Sequence, residues 1–136
     1  MNNGDAMDKQ IEKKNYYNAL YGYYYSLLTP KQQEIFEYYY SEDYSLSEIA
    51  ENMAISRNAV WDALQKACNA LEEYESKLSM YKNSLLLDKY LIELEPHTND
   101  NGKVIINKIK EMEWLYAIWK FIWKVTNVVK TFNWPW

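Results

Sequence analysis

Across 136 residues there is a single cysteine, a single histidine, a single arginine, three glycines and three prolines. Cys68 has no second cysteine with which to form an internal disulfide or a cysteine-based metal site, which fits a reducing, intracellular compartment. His97 stands in "PHTNDNG" with Asp100 as its nearest carboxylate, the setting of a surface loop residue rather than a base or a metal ligand. Three glycines leave no glycine-rich phosphate loop, and no Ser-His-Asp arrangement can be placed. No apolar run is long enough to span a bilayer, and the amino-terminal "MNNGDAMDKQIEKK" has acidic residues and no apolar centre, so it does not read as a secretory signal. The expectation is a cytoplasmic, noncatalytic protein with no cofactor and no metal.

What is present is helical material. About half the residues are apolar (49%) and a quarter are charged (25%). With so few chain breakers this predicts an all-α globular protein built on one core. Fourteen tyrosines, and fourteen lysines against one arginine, read as the drift of an AT-rich genome. Charge is uneven: residues 1–28 are neutral, 29–80 carry −6, 81–101 carry −2 and 102–136 carry +4. Nonspecific affinity for nucleic acid comes mainly from Lys and Arg neutralising phosphates. The acidic middle segment therefore argues against a strong general DNA binder.

Apolar spacing predicts a first helix over Asp8 to Leu28, with Tyr17, Leu20, Tyr21, Tyr24, Leu27 and Leu28 on its stripe. "TPKQQ" opens a second helix to about Tyr40: Thr29 caps it, Pro30 suits the first turn, and Gln33 is expected to complete a capping box, with Ile35, Phe36 and Tyr39 buried. Ser45 and Glu48 form a second box over "LSEIAENM", whose inner face is Leu46, Ile49, Ala50 and Met53. Ser56 caps a fourth helix after an interval suited to a tight turn between steeply crossing helices. From Val60 the series Leu64, Ala67, Leu71, Tyr74, Leu78, Tyr81 and Leu85 makes a long seam with a break expected near Ser79. The seam reads as packing on the first two helices, with a homodimeric coiled coil as the other reading. Pro96 stops the helical pattern.

This predicts a helix-turn-helix domain over 1–95, a loop at 96–102, and a basic aromatic helix at 103–136 packed on the same domain. With Val60, Ala63, Leu64, Ala67 and Leu71 turned inward, Arg57, Asn58, Trp61, Asp62, Gln65, Lys66 and Asn69 are left on the outer face. Arg, Asn and Gln can bond base edges, Lys66 can reach a phosphate and Trp61 can stack, whereas Asp62 repels phosphate. Arg57, Asn58, Trp61, Gln65, Lys66 and Asn69 are the candidate partner or nucleic-acid contacts.

The stretch "LLTPKQQEIFEYYYSEDYSLSEIAENMAISRNAVWDALQKACNALEEYESKL" resembles the YlxM family of bacterial helix-turn-helix proteins, whose fold is similar to region four of sigma factors. The resemblance rests on Thr29, Lys31 and Gln32; on Asp43, Ser45, Leu46, Glu48, Ile49, Ala50 and Glu51; on Ser56, Arg57, Ala59, Val60 and Asp62; and on Leu71, Glu72, Tyr74, Glu75, Lys77 and Leu78. It covers residues 20 to about 94. It implies a regulatory protein of the signal recognition particle pathway, with the particle's GTPase or its RNA as partner and DNA as the alternative. Gln65-Lys66 stands where the pattern expects Lys-Arg, and Trp61 at a Tyr-like position, so this face is less basic than the pattern.

Five of the six tryptophans fall from Trp114 onward, interleaved with lysines. In the segment 103–136, Ile105, Ile109, Met112, Tyr116, Trp119 and Ile122 define an expected stripe. Trp119, Lys120, Trp123 and Lys124 suit a partner surface or peripheral contact with an anionic membrane, against the alternative that the helix packs as core.

Overall fold

In the computed structural model residues 3–112 are described, and among them there is no strand. Trp119, Lys120, Trp123 and Lys124 lie outside the described residues. Helix α1 spans Asn3–Tyr24, α2 Pro30–Phe36, α3 Leu46–Met53, α4 Arg57–Leu78 and α5 Met80–Leu94. A further helix, α6, covers 100–112.

Pro30 controls the first junction from both sides. Its ring disfavours helical backbone at the preceding residue, and Thr29 is extended (φ −65°, ψ 155°). Thr29 can therefore end one helix and cap the next. The α-helical part of α1 stops at Tyr24, and Tyr25–Leu27 form a 3₁₀ turn. Leu27 is consequently 52% exposed rather than on the inner stripe, while Leu28 is buried. The capping box at Thr29 closes through Gln32, not the expected Gln33: the Gln32 N–H donates to Thr29 Oγ1 at 3.2 Å and the Thr29 N–H to Gln32 Oε1 at 3.0 Å. Counting from Thr29 as the cap, Gln32 is the third helical residue and the only one whose side chain can turn back over the cap. Gln33 instead donates to the Tyr25 and Leu28 carbonyls at 2.7 and 3.1 Å, tying α2 to the 3₁₀ turn that precedes it.

After Phe36 the helix widens into a π turn over Glu37–Ser41, closed by the Glu42 N–H on the Glu37 carbonyl at 2.9 Å. The extra residue rotates the side chains that follow. Tyr40 thus becomes the buried residue in place of the expected Tyr39, which is half-buried. The rings of Tyr21, Phe36 and Tyr40 stack in succession, with centroids 4.4 and 4.5 Å apart.

Unit one of the chain ends at Asn83 and unit two begins at Ser84. The core of unit one is formed by Leu20, Tyr21, Tyr24 and Leu28, Ile35, Phe36 and Tyr40, Ile49, and Val60, Leu64, Ala67, Cys68 and Leu71. Helix α4 is its central post, packed on α1, α2 and α3. The expected seam holds from Val60 to Tyr74 and is met again by Tyr81, which packs against the same core, whereas Leu78 and Leu85 are each 52% exposed. The break is at Ser79, which takes left-handed backbone (φ 51°). Glu75 bridges it, accepting from the Tyr24 hydroxyl at 2.7 Å and from the N–H groups of Tyr81 and Lys82 at 3.0 and 3.2 Å. The Tyr24 hydroxyl in turn accepts from the Met80 N–H at 3.1 Å. The first turn of α5 is thus satisfied by side chains of α1 and α4.

In unit two, the pattern is interrupted at a 3₁₀ turn over Glu95–His97 containing Pro96. Asn99 Oδ1 accepts from the Gly102 N–H at 2.9 Å, so α6 begins at 100, inside the stretch expected to be loop. Gly102 lies against the Thr98 side chain with no room for a Cβ. The buried residue of α6 is Ile106, with Ile109 half-buried, while Ile105 and Met112 are exposed. Ile105 and Ile106 are both apolar, so composition left the phase of this helix open; the phase adopted runs through Gly102, Ile106 and Ile109, spaced four and three apart. The remaining residues of the expected stripe lie outside the described part. No helix among the described residues is long and apolar enough to cross a membrane.

Candidate functional site: the helix-turn-helix face

The expected caps build this element. Ser45 Oγ accepts from the Glu48 N–H at 3.2 Å and Glu48 Oε2 from the Ser45 N–H at 2.7 Å, a reciprocal capping box that starts α3. These bonds hold the Glu48 carboxyl below the usual carboxylate range, chiefly through the Ser45 N–H. Ile49, fully buried, fixes α3 to the core, and Leu46, Ala50 and Met53 pack beside it.

Helix α3 ends in a Schellman turn. The Ile55 N–H reaches back to the Ala50 carbonyl at 3.1 Å and the Ala54 N–H to the Glu51 carbonyl at 3.3 Å, with Ala54 in the left-handed region (φ 54°). Ile55 and Ala50 both pack against the core. Ser56 then caps α4, its Oγ accepting from the Ala59 N–H at 3.1 Å.

With this geometry the outer surface of α4 is defined. Arg57, Asn58, Asp62, Lys66 and Asn69 are exposed, Gln65 is half-buried, and Trp61 is 46% exposed. Asn58, Trp61 and Gln65 succeed one another at three- and four-residue spacing, so they form one stripe. On α3 the residues Ser47, Glu48, Glu51 and Asn52 are exposed. These four were legible by elimination once the inner face of α3 was assigned, although they were not among the candidate contacts. Neither Arg57, Lys66, Glu51 nor Asp62 makes an ion pair among the described residues. Asp43 is paired with Lys14 of α1.

Three carboxylates of residues 29–80 accept hydrogen bonds from tyrosines of α1 and keep their charge. The hydroxyls of Tyr16, Tyr21 and Tyr24 donate to Glu72, Glu37 and Glu75 at 2.9, 2.5 and 2.7 Å. Elsewhere, Cys68 is buried and its thiol lies 3.7 Å from the Tyr40 hydroxyl; burial pushes the thiol pKa up, the opposite of what a reactive cysteine needs. His97 is exposed in its turn, and no group of three or more His, Cys, Asp or Glu among the described residues is placed to hold a metal ion.

A capped short helix, a tight Schellman turn and a capped longer helix with an open outer face define a helix-turn-helix protein. The family model "Putative helix-turn-helix protein, YlxM / p13 like" matches residues 11–113, and the chain belongs to this family, UPF0122. The match takes in α6 as well as the helix-turn-helix. Among its relatives are UPF0122 proteins from Lactococcus lactis subsp. cremoris (strain MG1363), 41% identical over 76% of this chain and 93% of the relative. Others come from Streptococcus gordonii, 46% identical over 62% of this chain and 77% of the relative, and Streptococcus pneumoniae (strain Hungary19A-6), 44% identical over 68% and 84%.

Proposed function

We propose that this chain is a noncatalytic regulatory module of the signal recognition particle pathway, contacting the particle's GTPase or its RNA through the helix-turn-helix face. The observation that carries the reading is Trp61: a large aromatic ring held 46% exposed on a rigid helix whose opposite side is committed to the core. Such a ring costs solvent-exposed apolar area unless a partner covers it, and aromatic residues dominate the binding energy of many interfaces. Arg57, Asn58, Gln65, Lys66 and Asn69 supply hydrogen-bonding groups around it. The pathway itself is inferred from the family resemblance.

A second reading, a DNA-binding transcriptional regulator, is favoured by Arg57 and Asn58 at the start of α4. That is the end of a recognition helix that meets base edges in the major groove. It is opposed by the acidity of the surrounding surface. The two separate in a pull-down of the intact chain with the particle's GTPase, its RNA and a random DNA duplex at near-physiological salt. The proposal expects retention of the GTPase or the RNA that drops in Trp61→Ala. Retention of neither, or of duplex alone with affinity falling steeply with salt, overturns it.

A further inference from the structure

We infer that the helix-turn-helix face docks a basic protein surface, anchored by Trp61 and steered by Glu51 and Asp62. This rests on reading the face as a binding surface, and it narrows the partner to a polycationic protein surface rather than a nucleic acid.

The start of the first helix is where a helix-turn-helix crosses a nucleic-acid backbone, and a helix N-terminus is otherwise a ready seat for a phosphate. Here the chain fills part of that seat itself. The ionised Glu48 carboxylate covers the Ser45 N–H and Ser45 Oγ takes the Glu48 N–H, so an incoming phosphate meets a negative charge and donors already in use. Around this point the exposed ionisable residues between 42 and 66, tyrosine aside, are five acids (Glu42, Asp43, Glu48, Glu51 and Asp62) against two bases (Arg57 and Lys66). Only Asp43 of the five is neutralised by a cation among the described residues. Asp62 stands one turn from Asn58 and one turn from Lys66, so a carboxylate lies within the face that would enter a groove.

For a polyanion each of these features is repulsive. For a basic protein each is complementary: the carboxylates guide encounter and penalise anionic partners, and the exposed Trp61 ring offers its face to a Lys or Arg side chain as well as to apolar groups. The neutral Asn58 and Gln65 beside Trp61 can bond a protein backbone without demanding charge.

The test is equilibrium binding of the full chain, at near-physiological salt, to four probes: a helical peptide of alternating lysine and leucine character, the particle's GTPase free of RNA, the particle's RNA, and a random DNA duplex. Trp61→Ala and the double reversal Glu51→Lys/Asp62→Lys are compared with Asp8→Lys/Glu12→Lys, which changes net charge equally at exposed positions of α1. Both face variants should weaken peptide binding at least about tenfold. The α1 control should have a much smaller effect. Equal losses in face and control variants, or no loss in the face variants, overturn the inference. So does RNA or duplex binding by the native chain that Trp61→Ala weakens. If RNA is bound in that manner, the basic-protein partner falls while the pathway reading stands. If neither the GTPase nor the RNA binds but the peptide binds through the face, the pathway reading falls while the partner class stands.

Discussion

Tyr24 shows how a residue type that composition assigned to genome bias acquires a structural task. Its ring is fully buried and its hydroxyl links α1 to Glu75 on α4 and to the Met80 N–H that begins α5. Tyr24→Phe keeps the ring but strands the Met80 N–H and removes a donor from Glu75, and should cost about 1–2 kcal/mol in urea unfolding. The tyrosines also set an alkaline limit. Burial, and then hydrogen bonding to Glu72, pushes Tyr16 from 10.0 up to about 12. Tyr21 and Tyr40 are raised too, first by burial. Above the ordinary tyrosine value the unfolded chain loses protons that the native chain keeps, so the native state binds more protons and stability falls as pH rises. The denaturation midpoint should therefore decline between pH 10 and about 12; a flat midpoint over that window contradicts the burial and hydrogen bonding assigned to these hydroxyls. Cys68, in contrast, should resist thiol reagents in the native state and react at the rate of unfolding.

Helices and their ends were legible wherever a single residue carries the signal. Ser45 with Glu48, Ser56, the break near Ser79 and the stop at Pro96 each follow from local chemistry that acts within one turn. The exposed α4 face followed from apolar spacing alone. What escaped were features set by a neighbour. The π turn at Glu37–Ser41 leaves no mark in a run of three tyrosines, because Tyr38, Tyr39 and Tyr40 serve equally well at any of the three positions. The phase of α6 was hidden because Ile105 and Ile106 are interchangeable until packing selects one. The Tyr–carboxylate bonds join residues up to 56 positions apart and have no local signature. The turn between α3 and α4 yields a sharp prediction at this scale. Ala54 holds left-handed backbone (φ 54°) that glycine adopts without steric cost. Ala54→Gly should stabilise the domain by about 0.5–1 kcal/mol, the relief of left-handed strain outweighing the added freedom of the unfolded chain. Ser56→Ala, removing a cap in the same element, should destabilise by about 1 kcal/mol. Thermal and urea unfolding of the pair would show opposite shifts.

For the molecule as a whole, the distribution of charge matters more than its total of −4. The fold marker that is most often associated with DNA sits in the segment from 29 to 80 that carries −6, and its carboxylates line the face that a groove would have to accept. The structure keeps the scaffold of a helix-turn-helix through caps, a Schellman turn and a buried inner face, while its outer surface sets exposed carboxylates around Trp61. Replacing Glu51 and Asp62 by lysine should therefore raise affinity for random duplex, with a steeper salt dependence than the native chain, since added lysines near phosphates release counterions. Hydrogen exchange on the full chain tests the central claim most directly, comparing the free protein with protein saturated by the particle's RNA-free GTPase, by its RNA, or by random duplex. Slowed exchange concentrated in residues 45–66 on adding the GTPase or the RNA, with no change on adding duplex, is the predicted result. Protection of 45–66 by duplex alone, or no protection there by any of the three, would contradict it.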